Sequence, residues 1–158
     1  MASCAPNPAI LARGFCVVDH NVLLCINKKV SPPCYFLPGG HVEDAESAKA
    51  CLQREFREEM DIHVEIGAWL GVVEHRLAPG YCHRQEYHMI FMVHPERYRQ
   101  HDGELVTDHA SIGYLWRDLG LFCLQDLSTP GLAAKLLRCW EQQRQQQEIT
   151  PFYLSTLE

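Results

Sequence analysis

Residues 40–62 read GHVEDAESAKACLQREFREEMDI. Their apolar spacing predicts a helix over 45–60, and within it Glu55, Glu58 and Glu59 crowd into five consecutive positions. At about 100° per residue the three carboxylates share one arc of roughly 100°. That arc overlaps the stripe formed by Ala48, Cys51, Leu52 and Phe56, while Lys49, Gln53, Arg54 and Arg57 take the opposite side. Carboxylates on the inward half of a helix repel one another and resist desolvation, and acid near a helix C-terminus opposes the macrodipole. A bound cation relieves all three costs. Ligands that are exclusively oxygen point to Mg²⁺, with Mn²⁺ as the substitute.

Read outward, the segment runs Gly40, five residues, Glu46, seven residues, then Arg54-Glu55-Phe56-x-Glu58-Glu59-x-Asp61-Ile62. This resembles the Nudix box of the Nudix hydrolases, G-x5-E-x7-R-E-U-x-E-E-x-G-U, with U a bulky apolar residue. Leu37-Pro38-Gly39 just ahead of it also looks Nudix-like. Two positions depart from the pattern: Phe56 is aromatic where an aliphatic residue is usual, and Asp61 replaces the second glycine. Glycine suits a left-handed helix cap, a conformation less open to Asp.

The resemblance implies an α/β fold, a Nudix-like α/β/α sandwich with a mixed β-sheet between two helices. It implies hydrolysis of a diphosphate linkage, with Glu55, Glu58 and Glu59 as metal ligands and the Gly40 carbonyl as a further one. Glu58 and Glu55 would serve catalysis directly. Arg54 would hold the glutamates in position by ion pairing, and Glu46 would brace the loop or the Arg. Gly39, Tyr35 and Tyr81 are the substrate-binding candidates, the tyrosines because base recognition uses aromatic stacking; Phe36 and Trp116 read as core.

The remaining chain predicts one domain over 1–158, with an N-terminal segment over 1–10 and a C-terminal tail over 147–158 whose apolar centre is Phe152-Tyr153-Leu154. Apolar runs at 13–18 and 22–26 predict a hairpin through Asp19-His20-Asn21. Strands are expected at 35–37, over 64–75 with breaks at Gly67 and Gly71, at 86–94 and at 111–116, and a second helix over 132–146. Along 86–94 the residues alternate, with Tyr87, Met89, Phe91 and Val93 on one face and Glu86, His88, Ile90 and Met92 on the other. The polar stretch up to His109 reads as a loop.

The general base is open between a box glutamate and a carboxylate elsewhere. Glu86 is one candidate, sharing a strand face with His88; Glu104 and Asp108 are others. His75, His83 and His88 gather around one expected hairpin and read as its polar face rather than as a metal site.

Net charge is −6, from 14 basic and 20 acidic residues, which argues against binding a nucleic-acid polymer. The first residues lack the charged and long apolar regions of a signal peptide, and no apolar run is long enough to span a membrane. The eight cysteines are too widely spaced for a C-x-x-C pair and mostly lie in apolar runs, as reduced thiols of a cytoplasmic protein would.

Together these readings predict a Mg²⁺-dependent pyrophosphohydrolase for a nucleoside diphosphate linked to another group, of the ADP-ribose or nucleotide-sugar type. The alternatives are a (d)NTP pyrophosphatase and a catalytically silent nucleotide-sensing domain, the latter expected to lose box glutamates that this chain keeps. A small nucleotide is the expected partner, and a homodimer the expected assembly.

Overall fold

A computed structural model describes residues 7–79, 85–97, 104–105, 111–120 and 127–157. In chain order the elements are β1 (Ala9–Val18), β2 (Asn21–Asn27), β3 (Cys34–Phe36), β4 (Gly39–His41), α1 (Ala48–Met60), β5 (Val64–Arg76), β6 (Gln85–Pro95), β7 (Glu104–Leu105), β8 (Ile112–Asp118), α2 (Leu132–Arg144) and β9 (Phe152–Ser155). The strands form one mixed sheet in the order β7-β8-β2-β1-β6-β5-β9, with β3 on β2 and β4 on β1. β1 runs parallel to β6 from Ala9 to Cys16, and β9 runs parallel to β5; the other pairs are antiparallel.

Each face of the sheet buries one helix. On one side Leu132, Ala133, Leu136 and Cys139 of α2 pack with Phe15, Leu24, Val73, Ile90 and Met92. On the other, Cys51, Leu52 and Phe56 of α1 pack with Ala12, Cys16, Leu23, Phe91 and Val93. The alternation along β6 thus sorts Ile90 and Met92 from Phe91 and Val93, and the architecture is the α/β/α sandwich. Phe56 is fully enclosed, and replacing such a ring with Ala costs about 3–5 kcal/mol. Cys16, Cys25, Cys51 and Cys139 are buried free thiols, and Cys34 is half-buried.

Several boundaries differ from the sequence reading, each for a local reason. α1 starts at Ala48, not 45, because Ala45 has φ 61° and Ser47 caps the helix, its Oγ accepting from Ala50 N at 3.1 Å. α2 stops at Arg144, and Gln146 turns left-handed at φ 55°. Gly67 and Gly71 do not divide β5; register shifts against β6 between Ile66 and Gly71 absorb the irregularity within one strand. Asp19 and His20, at φ 47° and 63°, form a two-residue hairpin turn, so Asn21 already belongs to β2.

Strands reach into both end segments. β1 begins at Ala9, inside the segment assigned to the N-terminus. Phe152–Ser155 is a sheet strand rather than a tail, with Phe152 buried in the α2-side core. What holds it is Glu74, whose carboxylate accepts from Tyr153 Oη, Tyr87 Oη at 2.9 Å, Ser155 Oγ at 3.2 Å and Gln85 Nε2. Within the stretch read as a loop, Glu104–Leu105 pairs with β8.

Candidate active site

The strand β4 and the helix α1 meet at Gly40. A Cβ added there would collide with the Glu55 carboxylate, so glycine lets the acid lie against the chain where any side chain would displace it. Gly39, at φ 140°, is pressed against the Ala12 carbonyl of β1 in the same way.

Arg54 organises the acids of α1. Its Nε donates to Glu46 Oε1 at 2.8 Å and its Nη2 to Glu46 Oε2 at 2.9 Å, while Nη1 donates to Glu55 Oε1 at 2.8 Å and to Glu58 Oε2 at 3.4 Å. Nη2 also donates to the His41 carbonyl at 3.2 Å, stitching the loop before the helix to the helix itself. The Arg54 hydrogen bonds hold the Glu46 carboxyl down at about 2, helped by the Glu43 backbone N–H donating to Oε2 at 3.1 Å. The same bonds push the guanidinium of Arg54 above its ordinary range. Although the helical wheel sets Arg54 opposite the acids, its long side chain folds back among them. Glu55 and Glu59 are half-buried, whereas Glu58 has a 55% exposed side chain.

α1 closes on Asp61, which adopts the left-handed conformation at φ 54°, ψ 37°. Asp61 N donates to Arg57 O at 3.0 Å, the single bond of a left-handed cap, and Ile62 N donates to Phe56 O at 3.1 Å. The aspartate takes the geometry that glycine would take.

On the sheet face bearing α2 lies a cavity of about 320 Å³. Its floor comes from β1, β5 and β6 through Arg13, His75, Glu86, His88 and Ile90; Phe36 of β3 and the segment 127–132 supply walls. His88 Nε2 lies 2.9 Å from Glu86 Oε2, the His75 ring tilts against that of His88 with centroids 4.4 Å apart, and His75 Nε2 sits 3.3 Å from Thr129 Oγ1. The hydrogen bond from His88 holds the Glu86 carboxyl below its usual range. Desolvation lowers both imidazoles, His75 to about 4.

Arg13 joins the two regions. Its Nη1 donates to Leu37 O at 3.3 Å and Gly39 O at 3.2 Å, and its Cζ lies 5.6 Å from the Phe36 ring centre. It feels the charges of Glu86, Glu55 and Glu59, though desolvation dominates and lowers its pKa. The cleft and the acidic helix are therefore neighbours around one guanidinium.

Residues 9–137 match the model of the NUDIX domain. The chain belongs to the Nudix hydrolase family. A 68-residue stretch, 42% of this chain, is 35% identical to an ADP-ribose pyrophosphatase of Methanocaldococcus jannaschii, and the match spans 40% of that protein's length. A Nudix hydrolase from Nitrosomonas europaea shares the fold with TM-score 0.66 at 21% identity, covering 96% of this chain and 79% of that one. An ADP-ribose pyrophosphatase from Streptococcus suis superposes with TM-score 0.59 at 18% identity, covering 94% and 99%.

Nudix hydrolases use divalent metal ions, and the residues around Gly40 suit one. The donors are all hard oxygens, and the missing Cβ of Gly40 opens its backbone to the site. Among the described residues no three His, Cys, Asp or Glu side chains are gathered tightly enough to grip an ion unaided. Arg54 stands among the acids instead, and a divalent ion that retains waters and shares substrate phosphates does not need a closed protein cage.

Of the Nudix residues expected from sequence, Gly40, Glu46, Arg54, Glu55 and Glu58 come together in one hydrogen-bonded or touching group. Glu86 lies across Arg13 from that group, in the cleft. Tyr35 does not line the cleft: its ring packs under Arg117, 4.9 Å from Cζ, and against the α2-side core, while Phe36, read as core, packs against the α1-side core and also lines the cleft. Trp116 packs at the edge of the α1-side core. Tyr81, His83 and Asp108, and the side chain of Glu104, lie outside the described residues. His75 and His88, read as a polar hairpin face, turn out to be half-buried cleft residues, because their face is covered by the segment before α2. Sequence reasoning missed Arg13 altogether; a lone Arg inside the apolar run 9–18 was the available signal.

Proposed function

We propose that this chain is a Mg²⁺-dependent pyrophosphohydrolase acting on a nucleoside diphosphate linked to another group, ADP-ribose and nucleotide sugars being the leading substrate classes. The observation that carries the reading is the acid group of α1, clasped by Arg54 beside Gly40, with a largely apolar cleft immediately across Arg13. Glu55, Glu58, Glu59 and the Gly40 carbonyl would hold the ion, Mn²⁺ substituting for Mg²⁺. When bound, it neutralises phosphate charge and makes the attacking water more acidic. Arg54 keeps the carboxylates aimed, and Glu46 keeps Arg54 in place. Glu58, the more exposed of the two α1 acids bonded to Arg54 Nη1, would take the proton from water. The water oxygen bonds to one phosphorus, the bond from that phosphorus to the bridging oxygen breaks, and two phosphomonoesters leave.

The name of the M. jannaschii relative supports this substrate class. The (d)NTP alternative draws support from the cleft itself, whose volume is at the low end for ligand sites and suits a single nucleoside. A homodimer in the cytoplasm completes the reading. The exposed side chains of Ile10, Trp69 and Tyr153 share the α1 face of the sheet beyond the helix, an apolar patch that a second copy would cover.

The test is phosphate release from ADP-ribose, nucleotide sugars and (d)NTPs with Mg²⁺, using Glu58→Gln as control. Phosphate from ADP-ribose only when phosphatase is added, and absent in the variant, supports the linked-diphosphate reading. Phosphate from (d)NTPs only when inorganic pyrophosphatase is added moves the assignment to the triphosphate class. No turnover with either metal sinks both.

A further inference from the structure

The cleft beside Arg13 has one feature that a general nucleotide site does not require, a mostly desolvated carboxylate on its floor. The side chain of Glu86 is 17% exposed. Its Oε2 accepts from His88 Nε2, and its Oε1 has no hydrogen-bond partner among the described residues. That oxygen keeps some exposure toward the cleft, so it is available to accept from a ligand, and a ligand that displaced its solvent without donating to it would leave it unsatisfied.

The surroundings keep Glu86 an acceptor. The hydrogen bond with His88 favours the ionised form of Glu86, and His88 in turn packs against the tilted His75 ring, which has Thr129 behind it. Arg13, the nearby cation, spends its Nη1 donor on the Leu37 and Gly39 carbonyls. An ionised carboxylate offers lone pairs and no proton, so it accepts from amino and ring N–H groups and repels carbonyl and phosphate oxygens. The ring N–H of uracil or hypoxanthine brings a carbonyl oxygen beside it, whereas the amino edge of adenine or cytosine does not. Phe36, Leu37, Leu77, Ile90, Leu127 and Leu132 supply the apolar walls that suit the faces of a flat ring.

We propose that this cleft holds a nucleobase bearing an exocyclic amino group, and that Glu86, positioned by His88, reads that group. The proposal rests on the nucleotide reading above and narrows it to adenine, cytosine and guanine over uracil and hypoxanthine. Glu86 then acts on the base rather than as the general base for water.

Calorimetric titration of the metal-free protein with AMP against IMP, and CMP against UMP, tests it without any need for turnover. The amino-bearing member of each pair is expected to bind roughly tenfold tighter or more, as a hydrogen bond to a charged group warrants. Glu86→Gln, which can donate as well as accept, should bring each ratio within about twofold. Glu86→Asp, which keeps the charge and shortens the reach, should bind both more weakly yet keep the order. Equal affinities in the parent protein, no binding of any monophosphate, or a full preference surviving in Glu86→Gln overturns the proposal. Failure of Mg²⁺-dependent hydrolysis with the base preference intact would instead overturn only the pyrophosphohydrolase reading.

Discussion

Arg54 and Glu46 form a fork-to-fork pair, with Nε to Oε1 at 2.8 Å and Nη2 to Oε2 at 2.9 Å across eight residues of chain. The pair fastens the loop 41–47 to the first turns of α1, and it leaves Nη1 free to engage Glu55 and Glu58. Only a planar guanidinium can serve both sides at once. Arg54→Lys should therefore lower kcat by about 100-fold, the scale of a small misplacement of reacting groups, with little change in melting temperature. Glu46→Gln, which keeps a neutral acceptor, should lose less. Equal kcat in Arg54→Lys and the parent would show that the clasp does not aim the acids.

Gly40 and Glu55 are in such close approach that an added methyl group would have to push the Glu55 carboxylate aside. Gly40→Ala should displace the Glu55 carboxylate and weaken Mn²⁺ binding roughly tenfold, the usual penalty for disturbing the support of a metal ligand. Electron paramagnetic resonance of free Mn²⁺ reads this directly. Unchanged binding would remove Gly40 from the metal site.

His75 gives the fold a particular acid sensitivity. Desolvation lowers its pKa from 6.5 to about 4, so between those values the unfolded chain takes up a proton that the folded chain refuses. Stability contributed by the neutral ring is complete above pH 6.5 and declines as pH falls toward 4, by roughly 1–3 kcal/mol. Urea midpoints measured from pH 7 to pH 4.5 should drop less in His75→Gln than in the parent. The carboxylates Glu46, Glu74 and Glu86, also lowered by their hydrogen-bond donors, add their losses only below about pH 4.5, which separates the two effects.

Asp61 holds a left-handed cap without the freedom of glycine. Asp61→Gly should relieve that cost and raise stability by about 0.5–1 kcal/mol, with turnover within about twofold of the parent. A protein that is inactive until Asp61 becomes Gly would favour the silent-domain alternative, with the cap as its cause.

The sandwich and the acid group of α1 were legible in sequence because both are written in short-range spacing: the 3.6-residue stripe of Cys51, Leu52 and Phe56, the alternation along β6, and the Gly40 to Ile62 pattern. The cleft was not, because it is assembled from β1, β3, β5, β6 and the segment 127–132, which meet only through long-range pairing. Tyr35 and Phe36 show the limit. As neighbours on a strand they face opposite ways, and composition favours the tyrosine as a ligand contact. Yet it is Phe36, paired with the α1-side core residue Cys25, that reaches the cleft beneath Arg13. Phe152–Ser155, read as an apolar tail that either docks on the body or meets a second copy, was not legible as a strand for a related reason, since its partner strand lies some eighty residues earlier.

That separation has a kinetic consequence. Glu74 O accepts from Thr156 Oγ1 across 82 positions, so β9 can zip onto β5 only after one of the largest loops in the chain has closed. Long-range parallel pairing of this kind is intrinsically slow, and until it happens β5 presents a bare ladder of amides and carbonyls to other molecules. Pulse-labelled hydrogen exchange during refolding should find the β5–β9 amides protected after those of the β1–β2 hairpin. Aggregation during refolding should grow worse when Phe152 is replaced by Ala, a change that prolongs the life of the open edge.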